Sequence, residues 1–234
     1  MIAATMPKFC KTLVFDCDGV ILDSNRIKTE AFGHVAMQFG ADAAKELVRF
    51  HVQHGGVSRY RKFEYLLVKI LQRASDATEI ERLARQYGLR VCDQLLQCPM
   101  TPGLKELRKA TPHTNWMVVS GGDQAELQYI FAQRGLASLF DRGIHGSPAT
   151  KDEILSREIA SGHLVLPALF LGDSRYDHEA AQRAGLVFIF IHEWTEFSNW
   201  REYCEINDIS TVKRIADLHP HTGFWWNKDC EQIQ

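Results

Sequence analysis

The sequence predicts an α/β fold: a doubly wound, mostly parallel, Rossmann-like sheet core with an all-helical cap inserted after the first strand. Three observations predict it. Apolar runs of strand length recur and are continuous rather than alternating, as in strands buried on both faces. Helix-like stretches separate the later runs, and from Ser24 to about Cys98 there is no strand pattern at all.

In chain order, the first strand is TLVF, residues 12–15, and it runs into the acid-rich turn Asp16-Cys17-Asp18-Gly19. The charged, amphipathic, helix-favouring segment follows, and Pro99 and Pro102 mark its end. The expected domains are a core of residues 1–22 and 99–234 and a helical cap of residues 23–98. The cap would then lie over the carboxyl ends of the strands, where such sheets bind ligands. Further strands are expected at 116–120 (WMVVS), 168–172 (ALFLG) and 186–191 (LVFIFI). Helices are expected at 123–135, 150–162 and 177–185, two ending in glycine at a C-cap position and the third with glycine just beyond a serine.

Composition narrows the class. With 234 residues, 45% hydrophobic, 24% charged and a net charge of −2, the chain can bury a core plus a smaller subdomain. It has no basic excess to suggest nucleic acid. LVFIFI is too short to cross a bilayer and the first residues lack a basic segment followed by an apolar one, so a soluble, cytoplasmic protein without a membrane partner is expected. Six cysteines without a C-x-x-C pair read as reduced thiols packed as small hydrophobes. Trp194, Trp200, Trp225 and Trp226 read as aromatic packing over a sheet edge.

The chemistry gathers at strand ends. Asp16 and Asp18, two apart, share a face and repel unless a cation lies between them. Ser120 ends the second strand, and Asp173 and Asp177 follow a later one in GDSRYD. Four acids and a hydroxyl, with no histidine beside them, form an oxygen donor set suited to Mg²⁺. Lys151 stands in the first turn of a helix, where the dipole disfavours a cation unless an anion is bound there. In the cap, HVQHGGVSRYRKF (51–63) has Gly55 and Gly56 breaking two helices before Arg59, while His51 and His54 read as surface polar residues.

FDCDGVILDS, VVSGG, the helix-start lysine and GDSRYD resemble, in order, the four motifs of the haloacid dehalogenase-like hydrolase superfamily, over about residues 10–193. The insertion is similar to the helical cap of the subgroup containing phosphoglycolate phosphatase and β-phosphoglucomutase. The resemblance implies that Asp16 is the nucleophile and becomes an aspartyl phosphate, with Asp18 acting as acid and then base. It implies Mg²⁺ on the Asp16 carboxylate, the Asp18 main-chain carbonyl and Asp173, supported by Asp177. Ser120, Gly121 and Lys151 would hold the phosphoryl oxygens. In capped relatives the loop matching residues 51–63 dips towards the active site, which makes Gly56 and Arg59 candidates for substrate binding.

The implied activity is hydrolysis of a small phosphomonoester metabolite: a sugar phosphate, a sugar-acid phosphate or phosphoglycolate. Val20, where many members have threonine, is a minor departure. A dehalogenase or a phosphonate hydrolase of the family would lack Asp18. A phosphomutase of the β-phosphoglucomutase type would keep it and is the alternative. A non-enzymatic phospho-accepting switch domain would carry its acceptor mid-chain, and a cysteine phosphatase built on Cys17 would need arginine where Asp23 stands.

Overall fold

The protein is described as a computed structural model covering residues 10–218. Trp225, Trp226 and Cys230 lie outside the described residues.

Strand β1 (Thr12–Phe15) is wholly buried, as its unbroken apolar run requires. Its one polar side chain is satisfied: Thr12 Oγ1 donates to the Val165 carbonyl at 2.9 Å and accepts from the Val165 N–H at 3.0 Å. The other strands are β2 (Asn115–Asp123), β3 (Ile144–Ser147), β4 (Ala168–Gly172), β5 (Val187–Ile191) and β6 (Ser210–Val212). They form one sheet in the order β3-β2-β1-β4-β5-β6, with every pairing among the described residues parallel. Two of these strands were not expected from the sequence, because IHGS and STV are short and carry too many polar or small residues to stand out.

Leu13 and Phe15 join Trp116, Val118, Leu169 and Leu171 on one face of the sheet. Val14 joins Met117, Val119 and Phe170 on the other. Phe15 and Trp116, with ring centroids 4.6 Å apart, are fully buried, which stabilises the fold by about 1.5–3 kcal/mol for a side chain of this kind.

Between β1 and β2 the chain forms α1 (Asn25–Ala36), α2 (Ala41–Gln53), α3 (Arg59–Tyr65), α4 (Ala77–Gln97) and α5 (Leu104–Ala110). Helix α3 runs on into a π-helical turn, Leu66–Ile70. The interior of the first four helices is aromatic, with Phe32 centred 4.4 Å from Tyr87 and 5.3 Å from Phe63. The chain enters and leaves this segment through two hydrogen-bonded connectors: Asp23 N–H donates to the Pro99 carbonyl and Thr101 N–H to the Ile21 carbonyl, each at 2.9 Å.

The remaining helices are α6 (Gln124–Gln133), α7 (Lys151–Ala160), α8 (Arg175–Arg183) and α9 (Trp200–Ile206). A capping box between Thr150 and Glu153 starts α7 at Lys151. Helix α8 starts at Arg175, two residues before the expected 177, because Ser174 forms a second capping box with Asp177. Trp200 stacks on Phe190 and His192 along β5, at 5.8 and 4.3 Å. The five described cysteines are free thiols. No helix among the described residues is long and apolar enough to cross a membrane.

From β1 the sheet is extended one way through β2 and the other way through β4. The carboxyl end of β1 is therefore the topological switch point, where a doubly wound sheet leaves a crevice.

Candidate active site

Asp16 is the first residue past β1, at that crevice. Its carboxylate is buried, and Lys151 Nζ stands 2.9 Å from Oδ1. That approach is misaligned for a hydrogen bond, so Oδ1 is a buried acceptor without a donor. Lys151, the first residue of α7, also forms a fully buried ion pair with Asp177.

Asp177 is well supplied with donors. Its Oδ2 accepts from Ser174 Oγ at 2.6 Å and from the Ser174 and Asp173 N–H groups at 3.1 and 3.3 Å. Asp173 is fixed from two sides. Asn25 Nδ2 donates to its Oδ2 at 2.7 Å, and Thr195 Oγ1 donates to its carbonyl at 2.6 Å.

Asp16, Asp173 and Asp177 each offer an oxygen, all within 4.8 Å of one another. Burial pushes the Asp16 carboxyl up against the pull of Lys151, and Asp177 and Asp18 add to the rise. Burial, then Asp16 and Asp177, likewise push Asp173 well above the usual carboxylate range. One ammonium is too little positive charge for three crowded carboxylates. The orphaned Asp16 oxygen and an all-oxygen donor set fit a hard divalent cation such as Mg²⁺.

Asp18 has a cation of its own. Ser24 Oγ donates to Oδ1 and Lys28 Nζ to Oδ2, both at 2.6 Å. Against burial, which raises it, Lys28 and the hydrogen bonds from Lys28 and Ser24 hold the Asp18 carboxyl below its ordinary value. The Asp18 side chain is therefore engaged away from the three-carboxylate cluster. Gly19 makes the turn after the acids: at φ +74° a Cβ there would lie 2.1 Å from Asp173 Oδ2.

Ser120, expected to end the second strand, is fully buried within β2, which runs on to Asp123, and its Oγ accepts from the Gly122 N–H at 3.1 Å. Gly121 and Gly122 line the cavity in front of Asp16, while Ser120 and Lys151 lie behind its wall. The loop before α3 closes over them: a Cβ on Gly121 would meet the Gly56 carbonyl oxygen at 2.1 Å. Gly56 and Arg59 both line the cavity. Arg59 grips the core, its guanidinium donating to Glu126 of α6 at 2.9 Å, and Tyr60 hydroxyl donates to Asp123 at 2.9 Å.

One expectation from the sequence needs correction. His51 is buried rather than at the surface, because its ring packs at a tilt against Phe32, centroids 4.5 Å apart, and is bonded to Lys62 at 2.7 Å. Arg59 and Lys62 of the same segment are buried too. His54 is exposed.

A family model for haloacid dehalogenase-like hydrolases matches residues 13–191, most of the chain. The chain belongs to that family. Several solved structures share the hydrolase's fold. A β-phosphoglucomutase from Clostridium difficile aligns at TM-score 0.70 and 17% identity, covering 92% of this chain and 95% of that one. A predicted phosphoglycolate phosphatase from Haemophilus somnus 129pt aligns at 0.66 and 19%, covering 91% and 98%. CbbY from Rhodobacter sphaeroides, in complex with phosphate, aligns at 0.64 and 17%, covering 90% and 96%. At such identities the likeness concerns the fold. Comparison with curated proteins found no match.

Several residues of the hydrolase's site went unnoticed in the sequence: Ser24, Asn25, Lys28, Lys62, Glu126, Ser174 and Thr195. Ser24 and Lys28 carried a readable signal, being four apart at a helix start just after the acid turn, so that Lys28 reaches back over the first turn of α1. The others depend on contacts between distant segments.

Proposed function

We propose that this hydrolase is a Mg²⁺-dependent phosphatase acting on a small phosphomonoester through an aspartyl phosphate on Asp16. The observation that carries the reading is the division of labour between the two acids. Asp16 is buried beside Lys151 with an oxygen left unbonded, while Asp18 is held apart by Ser24 and Lys28. A nucleophile and a proton carrier need such separate settings.

In the first step Asp16 attacks phosphorus and the bond to the leaving oxygen breaks, its proton coming from Asp18. The incoming phosphoryl dianion opposes ionisation of Asp18 and lifts it towards the acid form. In the second step Asp18 takes a proton from water, whose oxygen attacks phosphorus and frees Asp16 and inorganic phosphate. Lys151, 2.9 Å from Asp16, would offset charge on Asp16 and the phosphoryl oxygens, and Ser120 and the Gly121 N–H would share that task, the Gly122 N–H being engaged with Ser120 Oγ. Asp16, Asp173 and the Asp18 carbonyl would hold Mg²⁺, with Asp177 setting Lys151; the ion would supply charge neutralisation.

The substrate is read as small. The cavity holds about 60 Å³, several times what one water needs, and is roofed by Gly55, Gly56 and Val57. We take residues 23–98 to act as a cap that closes around it. The test is phosphate release from p-nitrophenyl phosphate and from small phosphomonoesters with Mg²⁺. Activity should vanish in Asp16→Asn and on chelation. Undiminished release by Asp16→Asn would sink the mechanism.

A further inference from the structure

Four cations line the cavity, and three already hold a carboxylate: Lys28 holds Asp18, Arg59 holds Glu126 and Arg175 holds Glu179. The fourth, Lys62 on α3, has only His51, whose Nδ1 accepts from its ammonium at 2.7 Å. Lys62 is 2% exposed. An ammonium has three donors, so two N–H groups of a buried cation have no acceptor among the described residues. A buried charge without a counter-ion is strongly destabilising, and a ligand that supplies the missing charge relieves it.

We propose that Lys62, backed by His51, seats a carboxylate on the leaving group, so that the substrate is an acidic phosphomonoester with its phosphoryl group at Asp16 and its carboxylate at α3. The phosphoryl end of this assignment rests on the phosphatase reading above; the carboxylate end does not.

The surroundings favour a monoanion. His51 is held neutral by burial and then by Lys62 and Lys28, so it accepts from Lys62 without competing for an anion. The Phe32 ring is centred 5.4 Å from the ammonium and packs against Tyr87, forming an apolar wall that suits a flat carboxylate. A phosphate dianion would bring a second charge with no second cation free to meet it. Burial, with Lys28 adding to it, pulls the Lys62 ammonium down to about 7. Asp18, Lys151 and Glu196 act on it too, but neither carboxylate forms an ion pair with it. An arriving carboxylate would oppose the downward effects of burial, Lys28 and Lys151 and keep the proton on Lys62.

The experiment is calorimetric titration of two uncleavable probes, phosphonoacetate and methylphosphonate, into the full chain with Mg²⁺, and into Lys62→Met and Lys62→Arg. Phosphonoacetate should bind roughly tenfold tighter than methylphosphonate to the wild type, the weight of one charge-assisted hydrogen bond. Lys62→Met should erase that advantage and Lys62→Arg should keep part of it. Equal binding of the two probes, no binding of phosphonoacetate, or an advantage that survives in Lys62→Met would overturn the proposal. Phosphate release is followed separately, from phosphoglycolate and from 2-hydroxyethyl phosphate. Release from no phosphomonoester, with the binding advantage intact, would defeat the phosphatase reading and leave the carboxylate seat standing.

Discussion

Lys28 Nζ lies 2.6 Å from Asp18 Oδ2, an ion pair between the first turn of α1 and the loop that follows β1. The two acids of the opening turn thus face different cations, Asp16 a lysine it shares with Asp177 and Asp18 Lys28. The pair joins the helical segment to the loop after β1, so positioning of Asp18 depends on how that segment is seated. Lys28→Met should leave Asp18 buried without a cation, raise its pKa and lower turnover by about 10²-fold, the usual weight of a misplaced proton carrier. The acid limb of the kcat profile should move to higher pH, and Lys28→Arg should restore much of both. A loss of turnover with an unmoved acid limb would make Lys28 a packing residue only.

Arg59 and Glu126 form the opposite clasp, from α3 to α6, and both are nearly buried. Removing either partner strands a charge, at a cost of about 3–5 kcal/mol for a buried pair. Arg59→Met and Glu126→Gln should each lower the denaturation midpoint, and the double variant should lose much less than the sum. Additive losses in a double-mutant cycle would mean that the two side chains do not interact energetically.

Gly121 faces the Gly56 carbonyl oxygen, 2.1 Å from where a Cβ would stand. Because both obstacles are backbone, Gly121→Ala should hold the 51–63 loop off the core. KM should rise and kcat fall, and the melting temperature should drop as the Arg59–Glu126 clasp loosens. Wild-type kinetics in that variant would mean that the closed contact is not used in turnover.

Lys62 makes stability depend on pH in a definite direction. Its ammonium, burdened first by burial and then by Lys28, titrates at about 7 in the folded chain against an ordinary value of 10.5. Between those values the unfolded chain binds the extra proton, so this contribution to stability rises with pH. Below about 7 the penalty is present in full, with His51, Lys28, Asp18, Lys151 and Glu196 as the charged or titratable groups around it. Lys62→Met should therefore melt above the wild type at pH 6, and the gap should narrow towards pH 10. A gap that is constant across that range would place the proton on Lys62 throughout.

The sheet's central strands and the groups at their ends were legible because each is a local pattern. TLVF and ALFLG are unbroken apolar runs, and Asp16, Asp173 and Lys151 stand at the point where a strand stops or a helix starts. Strands β3 and β6 were not, since a three- or four-residue edge of the pattern is held by its neighbours rather than by its own composition. Partner choice was also hidden. Arg59 meets Glu126 across 67 positions and Asn25 meets Asp173 across 148, separations that only the folded topology brings together. His51 looked like a surface residue because its burial comes from Phe32 and Lys62 on other helices.

The most direct test follows one reaction by ³¹P and ¹H NMR: wild-type protein with Mg²⁺ and a panel of small phosphomonoesters that includes acidic members and hexose 1-phosphates. The account predicts that inorganic phosphate appears in step with substrate loss, fastest for a carboxylate-bearing ester, and that Asp16→Asn produces none. Interconversion of sugar phosphates with little phosphate released would contradict it in favour of a phosphomutase.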